Sequence, residues 1–347
     1  MTADERSWIG LIAQTGIAAL ADRLAGADTE AGVGAVLAGA PRDLVRAVTL
    51  EQIVAMSRAV VDEVEGAVGE LAAPGDEIAL QHEVLRFARD VAFVSAEAFA
   101  RAAEARGAWD ARLASLVVDA LLAGHEATVL NNAAALGWRD GAGVTVIAGQ
   151  PPDGDPEAAA DAVDAAARHQ GLPVVTSGRG DALVAVIGDV RDAGRVARLL
   201  ASRFGTGAVV YGPLAPTLSA AGPSARAALA GLRAAVAWPG APRPVAASAL
   251  LPERALDGDP DAIDDLTRLY DDLVGEGGGL VETLASLLES TGSIEATSRE
   301  LFVHANTVRY RLRRIAETTG LSASDPRQAY VLQTTLSVGR LHSMTRQ

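Results

Sequence analysis

The chain has 347 residues, 49% of them apolar and 4% aromatic, so its length implies two or three domains whose cores are built from Ala, Leu and Val. It contains no cysteine, which excludes disulfides, thiol nucleophiles, Cys-ligated zinc and iron–sulfur clusters. A net charge of −14 argues against a protein coated with nucleic acid over its whole surface, and no run of about 18 uncharged apolar residues suggests a membrane span.

Residues 1–137 read as a helical N-terminal domain. The chain starts Met1-Thr2-Ala3-Asp4-Glu5 without a basic n-region, so no secretory signal is expected and the protein reads as cytoplasmic. Leu44, Val45, Val48, Ile53, Val54, Val60, Val61 and Val64 recur at helical spacings of three and four. Pro74-Gly75-Asp76 breaks that pattern, with Asp76 as N-cap of a second helix through Leu80, Val84, Phe87, Val91 and Val94. A third helix carries Leu113, Leu116, Val117, Leu121 and Leu122, with Gly137 as its terminus.

The texture changes near Gly141. Val144–Ala148 is a β-branched run ended by Gly149 and Pro151-Pro152, hence a buried strand. A helix follows over residues 156–170, with Pro156 in its first turn. Val174–Thr176 and Leu183–Ile187 are strands joined by Ser177-Gly178-Arg179-Gly180-Asp181. Then come a helix with Val196, Leu199 and Leu200, the strand Ala208–Tyr211 and a helix through Ala225–Val236. The order β-α-β-β-α-β is the split βαβ plan of a ferredoxin-like α/β domain, placed at 138–278 with a helical linker at Asp261–Leu273. Gly275-Glu276-Gly277-Gly278-Gly279 reads as a flexible joint.

Residues 279–347 hold eight arginines against six acids, or +2, which leaves 22 and 38, or −16, on the remainder. Such segregation suggests a small polyanion-binding module on an acidic body. Leu280, Leu284, Leu287 and Leu288 form one helix, and Ser293 caps a second with Ile294, Thr297 and Leu301 inward. After the turn Phe302–Ala305, a third helix runs from Asn306 to Thr319 and ends at Gly320. Two short helices around a tight turn, behind a supporting helix, make a helix-turn-helix.

Phasing the third helix at about 100° per residue places Val308, Leu312 and Ile315 in the core. Asn306, Tyr310 and Arg313 lie opposite, flanked by Arg309 and Arg314, with Thr307 near the N-terminus and no acid before Glu317. Arg and Asn side chains can bond bidentately to guanine and adenine edges, while other Arg, Thr and the helix N-terminus hold phosphates. His304 is expected to cap the helix or touch a backbone phosphate. Arg311 phases toward the core and is expected to pair with an acid such as Glu300.

The stretch Leu301-Phe302-Val303-His304-Ala305-Asn306-Thr307-Val308-Arg309-Tyr310-Arg311-Leu312-Arg313-Arg314-Ile315, followed by Thr319-Gly320-Leu321, resembles the DNA-binding domain of PucR-type bacterial transcription regulators. Thr283-Leu284 and Ser298-Arg299-Glu300-Leu301 fit the same pattern, and Ala305, where such proteins often have Arg, removes one phosphate contact. The middle domain is similar to the degenerate GGDEF-like domain of those regulators. At the hairpin, Gly178-Arg179-Gly180-Asp181-Ala182-Leu183 has Ala182 where a working cyclase needs a metal-binding glutamate.

The five histidines (His82, His125, His169, His304, His342) lack metal-ligand spacing, and no Gly-x-Ser-x-Gly elbow, phosphate loop or His-Glu-x-x-His occurs. No catalytic residue, cofactor or metal is therefore expected. The resemblance implies a regulator of metabolic genes that answers to a small-molecule effector and binds promoter DNA as a homodimer or higher homo-oligomer. Relatives with a similar helical N-terminal region point to fatty-acid or other lipid synthesis genes. The alternative is a nucleotide-binding or cyclase-type signalling protein.

Overall fold

The computed structural model describes residues 14, 18–25, 58, 62, 66–67, 70, 72–152, 156–290 and 292–345. The predicted helix over Leu44–Val64 lies outside these residues, apart from exposed helical Arg58 and Asp62. The chain divides into two compact units, Met1–Trp109 and Asp110–Gln347.

In the first unit, helical residues 18–24 meet helix α1 (Glu77–Ala123) through Arg23, whose guanidinium bonds Asp90 at 2.9 Å and lies 3.4 Å from Glu83. That bond holds the Asp90 carboxyl below the usual carboxylate range. Val84 and Phe87 are buried along α1. The two helices expected over 76–94 and 113–122 are one continuous helix of 47 residues. No proline and only Gly107 lie between them, so nothing local stops propagation. Gly124, at φ +73, ends α1 where a left-handed residue is required. A separate helix, α2 (Glu126–Ala135), then precedes Gly137.

The second unit is built around a five-stranded mixed sheet: β1 (Thr145–Gly149), β2 (Val174–Arg179), β3 (Ala182–Ile187), β4 (Val209–Tyr211) and β5 (Val245–Ala246). The spatial order is β2-β3-β1-β4-β5, antiparallel except for the β4–β5 pair. The first four strands, with α3 (Pro156–His169) and α4 (Ala193–Leu200), follow the ferredoxin-like plan, and β5 extends its edge. The β2–β3 connection is only Gly180-Asp181, because Arg179 and Ala182 already pair in the ladder. Gly180 has φ +61, as the first central position of a II′ turn demands.

Strands β1 and β3 are buried at every position, which requires cover on both faces. On one face Val146, Ala148, Val184 and Val186 pack with Val117 and Leu121 of α1 and with Ala225 and Ala228 of α5 (Gly222–Ala234). On the other, Ile147, Leu183, Ala185 and Ile187 pack with Val163 of α3 and Leu200 of α4. The alternation of period two thus divides one set of strands between two cores.

Beyond the sheet come α6 (Leu251–Leu256), α7 (Pro260–Glu276), α8 (Leu280–Glu289), α9 (Ile294–Glu300), α10 (Ala305–Thr319) and α11 (Pro326–Thr345). The expected flexible joint is a tight turn: α7 continues to Glu276, and Gly277, Gly278 and Gly279 have φ of 62°, 63° and 75°. Leu273 of α7 is fully buried with Leu284, Ile315, Leu332 and Leu336, so the linker helix belongs to the C-terminal core. Val331 of α11 shares a second cluster with Leu251, Ala262 and Leu266. Arg327 fastens the start of α11: its guanidinium stacks 3.9 Å from the Trp238 ring centroid, donates to the Ala249 carbonyl and bonds the buried Glu253 at 2.7 Å. Beneath it, Arg254 and Asp259 form a buried ion pair at 2.7 Å, and Arg254 also donates to the Ala247 carbonyl at 3.1 Å.

Candidate nucleic-acid interface

The C-terminal motif is set by its caps. Ser293 Oγ accepts the Ala296 N–H at 3.2 Å, opening α9. Its end carries a Schellman pair, with Phe302 N–H to the Arg299 carbonyl (3.3 Å) and Val303 N–H to the Ser298 carbonyl (3.0 Å). His304 then caps α10, its Nδ1 accepting the Asn306 N–H at 3.1 Å. In the neutral ring this leaves the proton on Nε2, a donor on the exposed side of the helix start. Gly320, at φ 70°, closes α10 with its N–H on the Ala316 carbonyl at 2.9 Å.

On α10, Val308 and Ile315 are fully buried, and Leu312 packs half-buried against the same core. His304, Asn306, Arg309, Tyr310 and Arg313 are exposed, whereas Thr307 and Arg314 are half-buried. Arg309 donates to Asn306 Oδ1 at 3.0 Å, joining two of the expected base-reading and flanking groups. Among the described residues no carboxylate forms an ion pair with Arg309 or Arg313. Arg314 differs: it bonds Glu317 at 3.0 Å on its own helix and Glu276 at the end of α7. These two carboxylates raise the Arg314 pKa further above its ordinary value, Glu276 most strongly.

Arg311 lies on the core side, but its partner is not Glu300. It donates to Thr283 Oγ1 at 3.0 Å, while Glu300 accepts the Ser286 hydroxyl at 2.6 Å. The reason is packing: this side of α10 rests on the first turn of α8, so the guanidinium reaches Thr283 and lies against Gly279. A Cβ at Gly279 would come within 2.9 Å of Arg311. Glu276 and Arg327 are the groups that helical phasing could not supply, since their contacts cross 38 and 74 residues of sequence.

The middle-domain hairpin does not fit the nucleotide and metal of a GGDEF cyclase. Ala182 is a buried strand residue, and the Arg179 guanidinium is held by Asp119 of α1. No cluster of three or more His, Asp or Glu among the described residues is arranged to hold a metal ion.

Residues 280–338 match the PucR C-terminal helix-turn-helix domain, and residues 123–234 match the GGDEF-like domain. An uncharacterized protein of Mycobacterium tuberculosis strain H37Rv is 41% identical over 359 aligned positions, covering 99% of this chain and 86% of that protein. The purine catabolism regulatory protein of Bacillus subtilis is 34% identical over 88 residues, 23% of this chain and 17% of its own. Among solved structures, the regulator of polyketide synthase expression from Bifidobacterium adolescentis has a TM-score of 0.58 at 34% identity, covering 66% of this chain and 93% of that one.

Proposed function

Because the chain belongs to the PucR-type family of DNA-binding transcription regulators, we propose that its helix-turn-helix reads promoter DNA with α10 in the major groove. Asn306, Tyr310 and Arg313 contact base edges, while His304 Nε2–H, Thr307, Arg309 and Arg314 hold the phosphates on either side. The observation that carries this reading is the exposed face of α10, cationic and free of acids before Glu317, on a chain of net charge −14. One such helix reads too few base pairs to be specific, so the regulator acts as a homodimer or higher homo-oligomer.

The module for DNA is the 279–347 segment, and the acidic domains at 1–137 and 138–278 are the place for self-association and for a small-molecule effector. The middle domain is non-catalytic. Control of polyketide synthase expression by the Bifidobacterium protein supports a regulon that includes acyl-chain and lipid synthesis genes.

Genome-wide capture of bound DNA tests the whole reading by returning operator and regulon together. Arg309 and Arg314 of two subunits neutralise about four phosphates per dimer, which gives a log–log salt slope of roughly −3 to −4. Affinity for the captured operator that does not fall between low and high salt would refute it. The cyclase alternative is tested separately, by incubating the full chain with GTP and Mg²⁺ or Mn²⁺; product formation would establish it.

A further inference from the structure

Helix α9 ends in a geometry that favours glycine, and the chain places a phenylalanine there. Phe302 occupies the left-handed position of the Schellman pair, at φ +53. The conformation is strained for a residue with a bulky side chain. Its ring is also 95% exposed, more than any other large apolar side chain described. The strain costs the free protein stability, the solvated ring gains it nothing, and among the described residues no packing offsets the strain. A strained, solvated aromatic two residues ahead of the N-cap of the groove helix calls for an external partner.

We propose that Phe302 is a specificity-determining residue of the DNA interface, whose ring packs on the C5-methyl of a thymine at the groove edge beside the start of α10. The major groove presents that methyl as its one apolar feature, and a phenyl ring is among the side chains that read it. The neighbouring polar groups then have separate tasks. His304 and Thr307 at the helix start hold the backbone, Asn306 and Arg313 bond to base edges, and Phe302 adds a contact that only thymine or 5-methylcytosine can supply. The inference rests on the DNA-binding reading of the same module, which wild-type preference for operator over a scrambled duplex tests on its own.

The test is a cycle between Phe302→Gly and single thymine-to-uracil replacements in the captured operator, with affinities from fluorescence anisotropy on the full-length protein. Glycine suits the left-handed position, so the variant is expected to fold with an unchanged or raised melting temperature. Removing one buried methyl should cost the wild type about four-fold at one thymine per half-site. Phe302→Gly should lose at least as much on the unmodified operator and be indifferent to uracil at that same position. Equal binding by Phe302→Gly and the wild type would overturn the proposal. So would a loss on Phe302→Gly with uracil sensitivity unchanged at every thymine, which would assign the ring to sugar or to a protein partner.

Discussion

Replacing Arg313 with alanine separates recognition from folding, because its side chain is exposed and no carboxylate pairs with it among the described residues. On the proposed docking, truncation removes contacts to DNA and leaves the interactions among the described residues in place. A bidentate arginine–guanine pair discriminates by about 1–3 kcal/mol per half-site, so a symmetric dimer should lose about 2–6 kcal/mol on its operator. At about 1.4 kcal/mol per decade, that is a fall of roughly 30-fold to 10⁴-fold. On a scrambled duplex only the loss of a cation should register, a far smaller effect. Anisotropy titrations of both duplexes at one fixed salt concentration give the ratio directly, and thermal melting should be unchanged. If Arg313→Ala keeps the specific-to-scrambled ratio while Arg311→Ala abolishes it, the phasing of α10 is wrong and the groove face must be reassigned.

Arg314→Ala should weaken binding to operator and scrambled DNA about equally and lower the salt slope by about one per subunit, while Glu276→Gln, which removes a carboxylate competing for the same guanidinium, should tighten both; an unchanged slope in Arg314→Ala would show that Arg314 does not reach the backbone. Gly339→Ala drives a Cβ into Cγ and Cβ of Tyr270. It should destabilise the α7–α11 pair by about 1–3 kcal/mol in chemical denaturation, with recovery in a Tyr270→Ala background. Burial pushes the Asp164 carboxyl up despite its bond from Thr176. The folded state thus binds more protons than the unfolded one above the ordinary carboxylate range, and stability falls as pH rises through that window to the raised folded value. Asp164→Asn should remove that decline and be no less stable at neutral pH, as denaturation midpoints at several pH values would show.

What the sequence reveals here is what short-range physics decides. The caps at Ser293 and Gly320 and the burial of Val308 and Ile315 follow from spacing within one or two turns. The sheet order follows from the βαββαβ sequence, because handed, short connections leave few alternatives. Helix ends without a local stop were not legible, which is why α1 reads as two helices over an uninterrupted Ala-rich stretch. Nor were side-chain partners far apart in the chain. The residues around Arg311 show that it faces inward, but only the packing of α10 on α8 selects Thr283 over Glu300. The glycine run looks like a tether because composition does not register that Leu273, just before it, is wholly enclosed.

That enclosure bears on how such regulators can be recombined. The match to the family's DNA-binding domain begins at residue 280, which makes the glycine turn an inviting place to graft that domain onto a different protein. A graft made there would strip Leu273 and Tyr270 from the cluster that holds Leu332 and Leu336 and uncover that side of it. The transferable piece starts with Pro260, and even then Val331 gives up its neighbour Leu251 and Arg327 its seat on Trp238 and Glu253. Exchange in this architecture is therefore expected to succeed when the graft carries α7 and a matching surface for the foot of α11, and to give insoluble chimeras when it follows the sequence boundary.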